Sequence, residues 1–509
     1  MALDKAPPHL SNDEISIGFD AYSVSEIGKD EHGNSWPLAF ESHSTYKSPL
    51  YAYLDIPFIK LLGRTESGLR MLSAVAGTAF VFMMILLSLN LGNQKLALLV
   101  GLLTAINPWN IYSSRMAYEA NLGLTFFALG VWMVIRFAGS KKLGDLVVSG
   151  IGFGLSVWSY HTYWLLSPLL VLFLIWFYRK SFNGKKLFVF LGVTILVALP
   201  ILLNFLGSLG KTTRASTEIW WRDNQLNIYL SESNDSKFKK GMVVAITPFF
   251  NYLQYVGFDY SFSKGLDLFE GREILDFGWF LPLTILIFIL GLVKGEMVLG
   301  RGNYRILLGI LLLTPIVPAL TKGEVAQIRN LSFTMPVLLI SGAGLYYLAK
   351  NYMKSFVMTS LGLLYCFFIF MLAYYVHFPR QAGDRFQYGY KQAWEKIKPN
   401  IDRYDWVIVE GRFGPYAQHT GVPHLYFGYF GAFDAKTMQT RRSDDTLGLV
   451  IGKYRFTGIE WNSEEIKEKS LYVASQFNPL TEKVADKLVK IDEVRLPNFK
   501  EQFYIYETK

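Results

Sequence analysis

Residues 69–90 read LRMLSAVAGTAFVFMMILLSLN, an apolar run near the length of about 20 residues that carries a helix across the ~30 Å hydrocarbon core of a bilayer. Further runs of this kind fall at 95–110, 119–138, 144–160, 162–178, 187–207, 277–294, 304–321, 328–349 and 355–376. Hydrophobic residues make up 51% of the 509-residue chain, with 39 Phe, 30 Tyr and 12 Trp, and mean hydropathy is +0.24. This is too apolar for a soluble globular protein and predicts a polytopic all-α membrane domain of about ten transmembrane helices.

Charge supplies the orientation. The formal net charge is +9, but the surplus Lys and Arg lie mostly in short loops between apolar runs, as topology signals do, and not in a nucleic-acid-binding patch. Loops holding Lys95, Lys141/Lys142, Arg179/Lys180/Lys185/Lys186, Lys294/Arg301/Arg305 and Lys350/Lys354 alternate with loops poorer in basic residues. The positive-inside rule puts the first set in the cytoplasm. Residues 1–68, the loop 208–276 and the tail from His377 then share the outer face, in a cell (plasma) membrane. The single cysteine, Cys366, lies in an apolar run, so no intramolecular disulfide or cysteine metal site is available.

Three regions follow: an outer-face loop at 1–68, a membrane domain at 69–376 that includes the outer loop 208–276, and an outer-face soluble domain at 377–509. In the first, Leu50 to Leu62 suits a helix lying in the interface plane. In the third, Trp406–Val409, Leu425–Phe427, Leu471–Val473 and Phe503–Tyr506 read as strands. Lys391–Ile397 and Thr481–Leu488 read as helices, giving a small α/β module without a nucleotide-binding glycine loop.

The outer loops also carry motifs. Leu10-Ser11-Asn12-Asp13-Glu14, Gly18-Phe19-Asp20-Ala21-Tyr22, Gly28-Lys29-Asp30-Glu31, Tyr46-Lys47-Ser48-Pro49-Leu50 and Arg70-Met71-Leu72-Ser73-Ala74 precede or open the first span. Ser114-Arg115-Met116-Ala117-Tyr118-Glu119, Ser159-Tyr160-His161-Thr162-Tyr163 and Gln327-Ile328-Arg329-Asn330-Leu331 follow. In this order they resemble the GT-C glycosyltransferases of the protein O-mannosyltransferase and aminoarabinose transferase type, the glycosyltransferase family 39-like group, over roughly residues 10–350. The resemblance implies transfer of a sugar from a polyprenyl-phosphate carrier to an acceptor hydroxyl on a protein, lipid or glycan, with inversion, at the outer face. It leaves a divalent metal open. Residues 1–68 hold no secretory signal yet fall on the outer face, so either an earlier transmembrane helix lies outside this sequence or they cross as a short amino-terminal tail; the charge distribution gives no nucleic-acid partner.

The resemblance assigns residues by position. Asp13 matches the catalytic carboxylate and Glu14 its neighbour. Adjacent carboxylates beside a bilayer have reason to hold a proton more tightly, which suits a base toward a hydroxyl; the plainer reading is an acidic helix start capped by Asn12 or Asp13. Lys47 matches a lysine that binds the carrier phosphate, although Ser48 stands where that segment has a proline, and a snorkelling lysine fits equally. Arg115 suits the same phosphate through its planar fork. Glu119 matches a second acidic position: it can hold a metal, orient the acceptor, or pair with Arg115 on one helix face. Arg329 can reach the phosphate from a late outer loop or snorkel, and His161 reads as an interfacial residue. In loop 208–276, Trp220, Trp221, Tyr252, Tyr255, Phe258, Tyr260, Phe262 and Phe269 suit sugar stacking or the membrane interface. A lipid-linked glycan or solute transporter, and a lipid-linked glycan ligase or polymerase, are the competing functions.

Overall fold

The computed structural model describes residues 3–42, 45–207, 219–263, 277–323, 325–383, 386–414, 421–444, 448–461 and 466–509. Helix α1 (Asn12–Ile27), the hairpin of β1 (Phe40–Ser42) and β2 (Thr45–Lys47), and helix α2 (Leu50–Leu62) precede the long helix α3 (Glu66–Leu91). Then come α4 (Gln94–Ala105), α5 (Pro108–Ser113), α6 (Glu119–Ser140), α7 (Leu143–Ser159), α8 (Thr162–Phe177) and α9 (Gly184–Gly207). The later apolar runs form Thr284–Leu299, Arg301–Leu313, Thr334–Asn351 and Met353–Leu372. Each expected span thus contains a helix.

Proline sets several of the ends. The run 95–110 stops as α4 at Ala105 because Asn107 caps a new helix with Pro108 in its first turn, where the missing N–H costs nothing. Pro315 and Pro318 likewise end the helix that starts at Arg301 and leave a short second helix, Ile316–Ala319. Six of the described stretches are long and apolar enough to cross a membrane: Glu66–Leu91, Glu119–Ser140, Gly184–Asn204, Arg301–Ala319, Gln327–Asn351 and Met353–Gln381. Helices α4, α7 and α8 are apolar but shorter.

The chain divides into two compact units. The first comprises residues 1–37, 52–71 and 374–509, and the second residues 38–51 and 72–373. Chain regions 1–68 and 377–509, separate along the sequence, therefore share most of one unit. The reason is hydrogen bonding as well as packing: the Tyr426 hydroxyl donates to the Leu10 carbonyl at 2.7 Å and the Tyr374 hydroxyl to that of Ala6 at 3.2 Å.

In the second unit, helices approach through glycine. A Cβ on Gly291 would lie 2.0 Å from the Ile340 carbonyl oxygen, and one on Gly344 would lie 2.0 Å from that of Ile287. Helices Thr284–Leu299 and Thr334–Asn351 therefore touch backbone to backbone, the contact that small residues permit in lipid.

The first unit contains a mixed sheet of β3 (Trp406–Glu410), β4 (Arg442–Asp444), β5 (Gly448–Ile451), β6 (Tyr454–Thr457), β7 (Ser470–Ser475), β8 (Leu488–Arg495) and β9 (Glu501–Thr508). Their order is β4-β5-β6-β3-β7-β9-β8, with β3 parallel to both β6 and β7 and the other pairs antiparallel. Two expectations change. Leu425–Phe427 is not a strand but part of helix Pro423–Tyr429, whose residues from Leu425 to Tyr429 are all buried, so no polar face marks its period. The expected helix 481–488 shrinks to Glu482–Ala485, and Leu488 already opens β8.

Asp55 on α2 is fully buried, and among the described residues neither carboxyl oxygen has a hydrogen-bond partner. Burial pushes its carboxyl well above the ordinary carboxylate range. Such a group stabilises the fold below the unfolded value of about 3.9, and that contribution drains away as pH rises toward the folded value. We expect the stability of wild type relative to Asp55→Asn to fall by about 1.4 kcal/mol per pH unit above pH ~4. Parallel unfolding curves for the two proteins between pH 4 and 7 would refute this.

Candidate active site

Helix α1 starts with a capping box. Ser11, not Asn12 or Asp13, is the cap: its hydroxyl accepts from the Glu14 N–H at 3.4 Å, and the Glu14 carboxylate accepts from the Ser11 N–H at 2.8 Å. Gly28 ends the helix in the left-handed region at φ 70°, as a residue without Cβ can. Asp13 lies in the first turn, half-buried, where the unpaired N–H groups of the helix favour a carboxylate.

Glu14 is fully buried and holds Arg70 through two contacts, Nε to Oε1 at 2.8 Å and an η-nitrogen to Oε2 at 3.0 Å. The same guanidinium donates to the carbonyls of Leu3 at 2.8 Å, Pro7 at 3.0 Å and His9 at 2.5 Å. Its five N–H donors thus meet five acceptors, as a buried arginine requires. Arg70 balances the charge of Glu14, which removes the repulsion expected between the adjacent carboxylates. The pair fixes the start of α1, and with it Asp13.

His9 extends this core. Its ring stacks on Tyr426 at 5.1 Å and on Phe430 at 6.0 Å, and Nδ1 lies 3.5 Å from Glu66, which also holds Lys391 at 2.7 Å. Burial pushes the imidazole below its ordinary value, outweighing the pull of Glu66. Arg70, His9 and Glu66 escaped the sequence reading as site-supporting residues. The available signal was an arginine and a glutamate in the first two turns of a membrane helix, where a charge needs a partner.

The second unit holds Lys47, Arg115, Glu119 and Arg329. Lys47 ends β2 opposite Phe40, and residues opposed in this way project to one face of the hairpin; both are buried. Arg115 lies in the turn after α5 and Glu119 opens α6, each 8% exposed. They do not occupy a common helix: Arg115 stands in the turn and Glu119 at the helix start four residues on. The turn is secured from both sides. The Asn121 amide donates to the Ser73 carbonyl at 3.0 Å, Ser73 also meets the Tyr51 hydroxyl at 3.2 Å, and the Asn107 amide donates to the Trp279 carbonyl at 3.1 Å. Arg329 donates to the Thr321 hydroxyl at 3.0 Å and the Lys322 carbonyl at 2.9 Å.

The loop after α9 contains helices Asn224–Glu232 and Lys237–Tyr255. Tyr255 is buried and its hydroxyl accepts from the Ala326 N–H at 3.2 Å, a structural use, whereas Trp221 and Phe258 are exposed. Phe269 lies outside the described residues. His161 sits between α7 and α8 with its ring 4.1 Å from that of Tyr160.

The model of the dolichyl-phosphate-mannose-protein mannosyltransferase family matches residues 46–203, a range that includes Lys47, Arg115 and Glu119. The crystal structure of apo ArnT from Cupriavidus metallidurans aligns over 99% of this chain and 94% of its own, with a TM-score of 0.53 and 10% identity. The same protein bound to undecaprenyl phosphate aligns over the same shares with a TM-score of 0.54 and 12% identity.

The chain has the GT-C fold.

Its likeness to the mannosyltransferase and ArnT groups, expected from the sequence, is thus found twice over, and with its long apolar helices it is an integral membrane protein. The Archaeoglobus fulgidus oligosaccharyltransferase, in complex with Zn and sulfate, shares 14% identity over 79% of this chain and 56% of its own at a TM-score of 0.46. A search of the curated proteins finds no match.

Removing Arg70 would strand a buried carboxylate. We expect Arg70→Met to cost about 3–5 kcal/mol and Glu14→Leu a comparable amount, with the double variant losing much less than the sum of the two. Thermal unfolding of the four detergent-solubilised proteins reads this directly, and additive losses would show that the pair is not the coupled unit described.

Proposed function

We propose that this protein is a glycosyltransferase that moves a sugar from a polyprenyl-phosphate carrier to an acceptor hydroxyl at the outer face of the membrane, with inversion. The alignment of nearly the whole chain with ArnT, including the form bound to undecaprenyl phosphate, is the observation that carries this reading. Asp13 is the general base. As the acceptor oxygen bonds to the anomeric carbon from the side opposite the phosphate, the Asp13 carboxylate takes its proton, the carbon–oxygen bond to the carrier breaks, and polyprenyl phosphate leaves with the bonding pair.

Negative charge grows on the leaving phosphate, and Lys47 and Arg115 are the cations assigned to it, with Arg329 a third. Glu119 orients the acceptor or binds a divalent metal. Glu14 acts through its partners: its oxygens are taken by Arg70 and the Ser11 N–H, which makes it a positioning residue for Asp13. Residues 1–68, loop 208–276 and the domain from residue 377 are on the outer side.

Asp13→Asn keeps the volume of the side chain and leaves the Ser11 cap in place. It should lower transfer by ~10²-fold or more while donor binding and thermal stability stay near wild type. The assay is release of carrier from a panel of radiolabelled polyprenyl-phosphate sugars. Wild-type turnover in the variant would remove Asp13 from the role, and carriage of intact lipid-linked sugar across vesicles without cleavage would favour a transporter.

Sidedness has its own test. On a Cys366→Ser background, Gly139→Cys and Val450→Cys should react with an impermeant thiol reagent from opposite sides of the membrane. Labelling from one common side would overturn the topology.

A further inference from the structure

A cavity of about 630 Å³ opens in the first unit, within the ~300–1,000 Å³ that small-molecule sites occupy. Its wall combines Trp394, Phe433 and Tyr454 with three cations, Arg64, Lys398 and Lys453. Nothing in the transfer chemistry proposed above uses it.

Two of the cations, Arg64 and Lys453, are held in place. Arg64 lies over the Tyr22 ring at 4.4 Å and donates to the Gly428 carbonyl at 3.2 Å. Lys453 donates to the Ile401 carbonyl at 2.7 Å, with that of Tyr404 at 3.4 Å. Carbonyl oxygens fix these groups without neutralising them, and donors remain on both for a ligand. The acids in the wall offset them only in part. Asp402 is 4.0 Å from Lys453 with a fully exposed side chain, where an ion pair is worth little. Asp434 accepts from the Thr437 N–H at 2.7 Å and keeps its charge, so three cations and two carboxylates share the wall.

The apolar part sets Trp394, Phe433 and Tyr454 beside the aliphatic Ile401, Ala432 and Ile451. The Phe433 and Tyr454 rings lie 5.7 Å apart, and Trp394 meets Tyr454 edge-on at 6.2 Å. The wall also includes Gly431 and Gly452, both at positive φ, so bare backbone faces the opening there. Aromatic rings suit the C–H faces of a sugar, while fixed guanidinium and ammonium groups suit a carboxylate or phosphate. A hydrocarbon ligand would leave three charges unanswered, and a bare anion would leave the aromatic wall unused.

We propose that this cavity binds an anionic saccharide, a sugar unit carrying a carboxylate or a phosphate. Calorimetric titration of the full-length detergent-solubilised protein tests it with four probes: trigalacturonate, glucose 6-phosphate, maltotriose and inorganic phosphate. At least one acidic sugar should bind, with maltotriose and inorganic phosphate ~10-fold weaker or more. Lys398→Glu, at an exposed position, should weaken the acidic sugar by ~10-fold or more, and Thr437→Trp, which fills the cavity, should abolish binding. Both variants should match the parent in thermal stability. Absence of binding by both acidic sugars, binding that either variant leaves unchanged, or inorganic phosphate binding as tightly as the sugars would overturn the proposal.

Discussion

Arg70 is the residue on which the arrangement of the first unit turns. A guanidinium removed entirely from water is tolerable only if its donors are met, and here five acceptors come from Glu14 and from three carbonyls of residues 3–9. That one group ties the amino-terminal segment to the second turn of α3 and seats the start of α1. Because Glu14 also completes the capping box with Ser11, the same carboxylate fixes both the helix start and the segment before it. Asp13, the next residue back, inherits a defined position without spending its own carboxylate on the cap.

The second unit solves a different problem. Lipid offers no hydrophobic driving force between helices, so close backbone approach at Gly291 and Gly344 and side-chain hydrogen bonds supply the cohesion. Asn121, Thr125 and Ser73 belong to this second device: Thr125 donates to the Ala76 carbonyl at 2.9 Å, as Asn121 does to Ser73, and together they join α6 to α3. The turn that carries Arg115 and the start of α6 at Glu119 are held by these bonds. Rigidity at that turn is a precondition for any role in gripping a phosphate, since a loose cation stabilises a developing charge poorly.

Much of this was legible in the chain. The apolar runs gave the helices, because length and hydropathy suffice where every backbone group must bond within its own segment. Ser11-x-x-Glu14 and Gly28 mark the ends of α1, and Leu50–Leu62 stands as the helix α2 that its composition suggests. The order of short polar motifs pointed to the GT-C glycosyltransferases, and the fold agrees. Element type failed where periodicity was missing. Pro423–Tyr429 is buried along most of its length and reads equally as strand or helix, and the end strands of the sheet carry too mixed a pattern to stand out.

The sequence by itself determined the class of protein, the positions of its membrane helices and the residue types at its candidate site. Those depend on local composition and short spacing, which a linear reading sees. Tertiary structure decided the partners. That Glu14 belongs to Arg70, 56 residues away, and serves as a structural anchor, follows from a buried charge finding its counter-ion through space. That residues 3–37 fold with the tail, and that Arg64, Lys398 and Lys453 line one cavity, are likewise facts of long-range packing. No local pattern encodes them, because the free energy that selects them arises only when distant segments leave water together.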